Sequence, residues 1–287
     1  CTVDPPALVH NPEIGCISRY AWGDDYHDLI RTKLRVLENY ICQELNAGNL
    51  SRSFVDSGPV LEREIAQRAG LGWIGKHSNL INMEKGSWFF LAELLVDVPL
   101  ETNLPFTRVD CGTCTICIDA CPTEAIIADR TLDARLCISY LTIELKGAIP
   151  VELRPKMSNM IFGCDICQEV CPWNQNASKS SESGLRPRPE NVAPELIELM
   201  KLDQSAFKKR FHKSPIKRTK RRGLLRNVAV ALGNWAHESA IPALSLGLQD
   251  SEPLVRSHAA WALGRISASQ AKINLRAAKT TEKDPSV

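Results

Sequence analysis

Apolar residues near the start of the chain recur at helical spacing. Between residues 28 and 45 they fall three or four positions apart, which predicts an amphipathic helix. The segment 59–69 predicts a second helix, because Pro59 suits a first turn and Gly70 stands directly beyond the last one.

Two apolar segments that follow these helices have the character of strands. Residues 71–81 and 88–98 are rich in apolar side chains, and the second segment is apolar almost throughout, as a buried strand is. Glu93 interrupts it, so no apolar stretch there reaches the roughly 20 residues that span a bilayer. Helices and strands together predict an α/β domain over residues 1–106.

The C-terminal part of the chain is predicted to be helical and contains a weak internal repeat. Residues 228–234 align with residues 259–265 at an offset of 31 positions (259 − 228), and Pro253 between them suits a helix start. Helix pairs of this size suggest a short HEAT-like array over residues 191–280, with a generic three-helix bundle as the alternative.

Eight of the eleven cysteines form the most informative pattern of the chain. They lie in a C-x₂-C-x₂-C-x₃-C-P run, a C-x₂-C-x₃-C-P run and one cysteine between them. Bacterial ferredoxins hold two [4Fe–4S] clusters with runs of this spacing, in which the last cysteine of each run reaches the other cluster. The predicted ligand sets are Cys111, Cys114, Cys117 and Cys171 for one cluster, and Cys121, Cys137, Cys164 and Cys167 for the other.

Two other uses of these cysteines remain open at this point. Structural zinc sites use paired C-x-x-C units separated by longer loops, and disulfide frameworks suit short secreted chains. Clusters fit the spacing better than either, so residues 107–176 are predicted to form a ferredoxin-like domain that moves single electrons. Short helices are expected beside the cysteine loops, at 123–126 and within 132–145, and a linker rich in Ser, Pro and Arg is expected at 177–190.

The net charge of +2 conceals one strongly basic stretch. Ten lysines and arginines lie between residues 208 and 226, with no acidic residue among them. This density favours contact with nucleic-acid phosphate, and the scarcity of aromatic residues there argues against base stacking. A solvated face without a partner is the alternative.

Two shorter motifs bear on catalysis. Residues 70–75 match G-x-G-x-x-G by letter, but a dinucleotide fingerprint follows a strand and opens a helix, so a dinucleotide site is rejected. Asp56 precedes the helix predicted at 59–69 and either caps it or acts as a general acid. The acid function requires burial against an apolar surface or a bulky cofactor, since a helix N-terminus favours the carboxylate.

Four further motifs narrow the identity of the chain. They are SRYAWGDDYH (18–27), VDSGPVLER (55–63), GLGWIGK (70–76) and SPIKR (214–218). Together with the eight cysteines, they resemble the epoxyqueuosine reductases, a family that is related to the cobalamin-dependent reductive dehalogenases and acts in the last step of queuosine synthesis on tRNA. The resemblance covers essentially the whole chain, but the family carries a further segment before Cys1, so we expect an N-terminally truncated chain.

The resemblance implies cobalamin, bound base-off, in addition to two [4Fe–4S] clusters. Residues 1–106 would then form an incomplete cobalamin-binding catalytic domain in an α+β multidomain fold. Asp56 matches the family's proton donor, and the face of the corrin would provide the apolar surface that a general acid needs. Other residues expected around the corrin are Arg19, His77, Leu80, Leu91, Ser139 and Asp165.

The resemblance also implies a substrate and partners. We expect tRNA that carries epoxyqueuosine, bound by its anticodon stem-loop, and an external electron donor such as a flavodoxin or ferredoxin system. The protein would be a cytoplasmic monomer without membrane contact. The residues expected to meet the tRNA are Arg63, Lys146, Arg154, Lys217, Arg218, Arg221 and Arg222.

The predicted function is the reduction of epoxyqueuosine to queuosine in the anticodon loop of tRNA. Electrons are expected to pass through both clusters to cobalamin, with Asp56 as the proton donor. One alternative is a reductive dehalogenase-like corrinoid enzyme that acts on a small molecule, against which stand the basic stretch and the helical repeats. The other is a two-cluster electron-transfer module without catalysis of its own, which the lack of a corrinoid spectrum would favour.

Overall fold

The computed structural model describes most of the chain. Leu45, the predicted end of the first helix, and part of the linker predicted at 177–190 lie outside the described residues. The described ranges are 11–44, 51–107, 111–175, 177 and 180–287.

The described residues form two compact units, each assembled from separate stretches of the chain. The helical unit contains the described residues up to Asp24, together with Ala134–Asp165 and Leu185–Val287. The mixed unit contains the described residues of Asp25–Asp133 and Ile166–Gly184. The units thus interleave along the sequence, whereas the sequence predicts consecutive domains.

Short strand pairs make up the sheet structure of the described residues. The strands are β1 (Cys16–Ile17), β2 (Ser51–Phe54), β3 (Trp73–Ile74), β4 (Leu80–Ile81), β5 (Glu93–Val96), β6 (Ile126–Ala128), β7 (Thr131–Leu132) and β8 (Met160–Phe162). In the helical unit β1 pairs with β8 in parallel. In the mixed unit β2 pairs with β5, β3 with β4 and β6 with β7, all antiparallel.

Helices dominate the helical unit and frame the strand pairs of the mixed unit. They are α1 (Tyr26–Glu44), α2 (Glu62–Arg68), α3 (Ile116–Asp119), α4 (Ile138–Ile143), α5 (Ile166–Glu169), α6 (Pro189–Val192), α7 (Leu196–Met200), α8 (Gln204–Arg210), α9 (Lys220–Trp235), α10 (Ile241–Gly247), α11 (Pro253–Arg265) and α12 (Ser269–Thr281). Among the described residues, none of the helices is both long and apolar enough to cross a membrane.

The predicted elements are confirmed in part. Helix α1 matches the amphipathic segment 28–45, and α4 lies within 132–145. Helix α2 begins only at Glu62, and Gly70 adopts the left-handed conformation beyond its end, with φ +77°. The two predicted strands are much shorter than expected, because residues 71–81 contain the turn between β3 and β4.

The helix predicted at 123–126 is wrong. Glu124 has a φ of +56°, which ends any right-handed helix at this point. The chain then enters β6, which pairs with β7 immediately downstream.

The two repeat helices α9 and α11 pack closely in the core of the helical unit. A side chain at Gly233 on α9 would stand 2.5 Å from Cζ3 of Trp261 and 2.9 Å from Cα of Ala262. Only glycine permits this approach of the two helices. At the equivalent repeat position, Gly264 faces open space within the described structure.

A buried arginine joins α9 to the segment that follows α4. Arg226 is fully buried, and its guanidinium donates hydrogen bonds to the carbonyls of Leu141, Leu145 and Gly147. Asn227 beside it donates to the carbonyls of Thr142 and Ile161. These bonds tie α9 to the backbone of α4, of the segment after it and of β8.

Candidate functional site

Four cysteines of the mixed unit line one cavity of about 270 Å³. We call it the cysteine cavity. Helices α3 and α5 pack together and bring the two cysteine runs side by side. The four residues are the set that the spacing predicts for one cluster: Cys111, Cys114, Cys117 and Cys171.

Tight turns give these cysteines their spacing. The N–H of Cys114 donates to the carbonyl of Cys111 at 3.0 Å, and Gly112 between them has a φ of +49°, which glycine adopts without strain. The N–H of Cys171 donates to the carbonyl of Gln168 at 3.2 Å. Pro172 follows and begins a 3₁₀ turn, which explains the Cys-Pro end of the run.

Two thiols of the cysteine cavity are harder to ionise than usual. Burial, followed by the charges of Cys171, Cys111 and Cys114, raises the pKa of Cys117 to about 11. Burial also raises the pKa of Cys171. Thiolates, not thiols, ligate metals, so a metal group among them would reverse this preference. Four soft donors around a cavity larger than a single ion fit a [4Fe–4S] cluster.

Two basic side chains share the wall of the cysteine cavity. Lys76 is buried, and its ammonium lies 3.3 Å from the carboxylate of Asp129. His77 is also buried, and burial lowers its pKa to about 4, so it is neutral at pH 7. His77 lies in the wall of the cysteine cavity, and its contact with a corrin stays a prediction.

The other four predicted ligands are divided between the units. Cys137 and Cys164 belong to the helical unit, and Cys121 and Cys167 belong to the mixed unit. The second ligand set therefore stays a prediction. Every cysteine that the structure describes is free of disulfide bonds, which argues against a disulfide framework.

Asp56 lies in the turn after β2. Its backbone has a φ of +50°, and its N–H donates to Oε1 of Glu62 at 2.6 Å. The carboxylate accepts a 2.6 Å hydrogen bond from the hydroxyl of Tyr26. Because α2 begins only at Glu62 with Leu61 as its N-cap, the capping function considered for Asp56 is wrong.

Tyr26 is buried between two other rings. It stacks on His27 at a centroid distance of 4.1 Å and on Phe90 at 4.3 Å. The stacking fixes the ring, so the hydroxyl holds the carboxylate of Asp56 in one orientation. Sequence reasoning did not single out Tyr26, although it lies in the SRYAWGDDYH motif.

A second carboxyl group near Asp56 is protonated more readily than usual. Glu93 stands opposite Phe54 in the β2–β5 pair. Burial, then the charge and hydrogen bond of Glu62, then the charge of Asp56, raise the pKa of Glu93 to about 7. The signal in the sequence was an acidic residue in the middle of an apolar strand, but its neighbours depend on strand register and were not predictable.

The residues expected around a corrin also lie in both units. In the mixed unit, Leu80 is buried in β4 and Leu91 is partly buried before β5. In the helical unit, Ser139 lies in α4, and the N–H of Arg19 donates to Oδ2 of Asp165 at 2.7 Å. Burial raises the pKa of Asp165. Their contact with a corrin stays a prediction.

The residues expected to meet tRNA differ in exposure. Arg63, Lys146, Lys217 and Arg218 are exposed, and Arg222 is partly exposed. Two expectations need correction. Arg154 is 6% exposed, with its guanidinium 5.3 Å from the ring centre of Trp261. Arg221 makes a two-pronged ion pair with Asp250 and is therefore committed to the fold.

Three family models match separate parts of the chain. "Epoxyqueuosine reductase QueG, DUF1730" matches residues 3–57, a 4Fe–4S double cluster binding domain matches residues 110–174, and HEAT repeats match residues 218–287. The predictions of a two-cluster domain and of a HEAT-like array are thereby confirmed.

Curated and solved proteins resemble the chain over most of its length. Epoxyqueuosine reductases of Shigella dysenteriae and Escherichia coli are each 49% identical over 259 residues, which is 90% of this chain and 68% of theirs. A crystal structure of epoxyqueuosine reductase with a tRNA-Tyr epoxyqueuosine-modified tRNA stem loop superposes with a TM-score of 0.90 at 35% identity, covering 96% of this chain and 73% of that one. Because sequence, domain content and fold all agree, this chain belongs to the epoxyqueuosine reductases, a family of oxidoreductases.

Proposed function

We propose that this chain reduces epoxyqueuosine to queuosine in the anticodon loop of tRNA. The observation that carries the proposal is that one compact unit contains both the cysteine cavity and the hydrogen-bonded carboxyl group of Asp56. Removal of the epoxide oxygen consumes two electrons and two protons and releases water. The unit thus offers a place for an electron carrier and a place for a proton donor.

Electrons would enter through two [4Fe–4S] clusters from an external donor such as a flavodoxin or a ferredoxin. Cys111, Cys114, Cys117 and Cys171 would hold one cluster, which their common cavity supports. Cys121, Cys137, Cys164 and Cys167 would hold the other. Clusters pass single electrons, so two in series suit a two-electron reduction that is fed one electron at a time.

Cobalamin, when bound, would supply the low-valent cobalt chemistry that reduction of an epoxide requires. The polar residues Arg19, Ser139 and Asp165 and the apolar residues Leu80 and Leu91 would hold it. Ser78, two residues before Leu80 in the β3–β4 turn, supports a bound group, because its Oγ is buried and has no hydrogen-bond partner among the described residues.

Asp56 would deliver a proton to the substrate. Its carboxyl group is held by Tyr26 and its backbone by Glu62, so its position is fixed before substrate binds.

The tRNA would lie against the exposed part of the basic stretch. Lys213 and Lys220 flank the 3₁₀ turn Pro215–Thr219, which carries Lys217 and Arg218, and all four side chains are exposed. The solved relative that carries a tRNA stem loop supports this class of partner. These cations would contact phosphates rather than bases.

Complementation tests the proposed function directly. A bacterial strain that lacks epoxyqueuosine reductase would express this chain, and its tRNA nucleosides would be analysed by mass spectrometry. We expect queuosine with the native chain and epoxyqueuosine with a Cys111→Ala variant. Persistence of epoxyqueuosine beside a cluster-loaded native chain would contradict the proposal.

A further inference from the structure

We propose that Nε2–H of His77 donates a hydrogen bond to a sulfur of the cluster bound in the cysteine cavity and thereby raises its reduction potential. The proposal rests on the ligand set proposed above, Cys111, Cys114, Cys117 and Cys171. It makes His77 a residue that tunes electron transfer instead of one that lines a corrin.

The hydrogen bonds of the imidazole place its proton on Nε2. The backbone N–H of Asn79 donates to Nδ1 of His77 at 3.2 Å, so Nδ1 is an acceptor and carries no proton. A histidine in this state carries its one ring proton on Nε2. The backbone of the β3–β4 turn therefore fixes the tautomer.

The Nε2–H group lacks a partner that the fold would normally provide. His77 is 4% exposed, and its Nε2 has no hydrogen-bond partner among the described residues. Buried donors are nearly always satisfied, and the exceptions mark sites where something else binds. The imidazole forms part of the wall of the cysteine cavity, where sulfur atoms of a cluster would be the available acceptors.

Gly75 keeps the imidazole in this position. A side chain at Gly75 would stand 3.2 Å from Cε1 of His77 and 2.5 Å from Cδ1 of Ile81, so the ring lies close against this backbone. Cε1 lies between the two ring nitrogens. A larger residue at position 75 would therefore push on the ring, whose Nδ1 is held by the N–H of Asn79.

A donor at a cluster sulfur has a defined electrochemical effect. Reduction adds negative charge to the cluster, and a hydrogen bond stabilises the more negative form, which raises the potential. His77 would make this cluster an easier acceptor of electrons from the external donor.

Three variants separate this effect from a structural one. His77→Phe removes both ring nitrogens. His77→Asn keeps an acceptor near the position of Nδ1 but no donor near that of Nε2. His77→Gln restores a donor near the position of Nε2. Each chain would be reconstituted anaerobically with iron and sulfide. Iron content, EPR-monitored redox titration and the electron–nuclear double resonance of exchangeable protons would then be measured.

We expect a more negative midpoint potential and the loss of one exchangeable-proton coupling in the Phe and Asn variants, with both restored in part in the Gln variant. Unchanged potentials at full iron content would overturn the proposal, as would an equal shift in all three variants. A change confined to the spectrum of added cobalamin would assign His77 to the corrin and overturn it as well. If the native chain fails to assemble a cluster with these cysteines, the ligand set itself fails, and with it the proposed electron route.

Discussion

The hydroxyl of Tyr26 donates a 2.6 Å hydrogen bond to Oδ2 of Asp56 across 30 positions of sequence. The ring of Tyr26 is clamped between His27 and Phe90, so the hydroxyl has little freedom. Replacing Tyr26 with Phe keeps the stacking and removes only the hydrogen bond. We expect kcat to fall about 10-fold, because the carboxyl group of Asp56 loses the hydrogen bond that fixes its position. Single-turnover assays on the stem-loop would measure it, and an unchanged kcat would show that Asp56 needs no such support.

Removal of the Asp56 carboxyl should abolish most turnover and leave the metal groups intact. General acids accelerate reactions by roughly 10² to 10⁴-fold. The turnover rates of Asp56→Ala and of the isosteric Asp56→Asn should therefore both be lower than the native rate by about that factor. Iron content and the cluster spectrum should match those of the native chain. Near-normal turnover in Asp56→Asn would exclude Asp56 as the proton donor.

The raised pKa of Glu93 makes the stability of the mixed unit depend on pH. Because its folded pKa is about 7 and its ordinary value is 4.5, the folded state holds a proton that the unfolded state releases between these values. The contribution of Glu93 to the free energy of unfolding should therefore fall as pH rises from about 4.5 to 7. Glu93→Gln should match the native Tm at pH 4.5 and exceed it at pH 8. A constant difference at both pH values would remove ionisation as the cause.

The exposed lysines around the Pro215–Thr219 turn should carry much of the salt dependence of tRNA binding. Each phosphate contact contributes about 0.7 to 0.9 to the slope of log K against log salt, so Lys213, Lys217 and Lys220 together contribute about 2. A triple alanine variant should bind more weakly and with a slope shallower by that amount. The control removes equal charge from α12, at Lys272, Arg276 and Lys279. Equal losses in both variants would leave the basic stretch without a special function.

Arg226 should prove structural although it belongs to the basic stretch. Arg226→Leu leaves the carbonyls of Leu141, Leu145 and Gly147 without donors, which should cost about 3 kcal/mol or more in the free energy of unfolding. Urea denaturation would measure it. Arg222→Leu, on the same helix but partly exposed, should change stability by less than about 1 kcal/mol. Similar losses in the two variants would contradict this account.

The sequence predicted well what depends on local pattern. The amphipathic spacing located α1 to within two residues at its start, and the cysteine spacing named four residues that share one cavity. It failed at Thr123–Glu124, where a left-handed residue ended a helix that composition favoured. Single left-handed residues leave little trace in composition, so such breaks escape pattern analysis.

Contacts between distant segments were the main omission. Nothing in the pattern indicated that Arg221 would pair with Asp250 or that Arg154 would lie against Trp261, so both were expected at the RNA surface. The surroundings of Glu93 depend likewise on its register with Phe54. These relations arise from packing between residues far apart in sequence, which periodicity cannot report.

The parallel pairing of β1 with β8 has a consequence for how the protein is made. Cys16 lies opposite Met160, a separation of 144 residues (160 − 16), and the Asp25–Asp133 part of the mixed unit is encoded between them. At about 5 to 20 residues per second, a ribosome needs on the order of ten seconds to synthesise that interval. During this time the first strand has no partner, while much of the cysteine-bearing segment has already emerged. The Asp25–Asp133 part of the mixed unit, with the first three cysteines of the cysteine cavity, is therefore synthesised before β8 can pair with β1, whereas Cys171 follows only after β8.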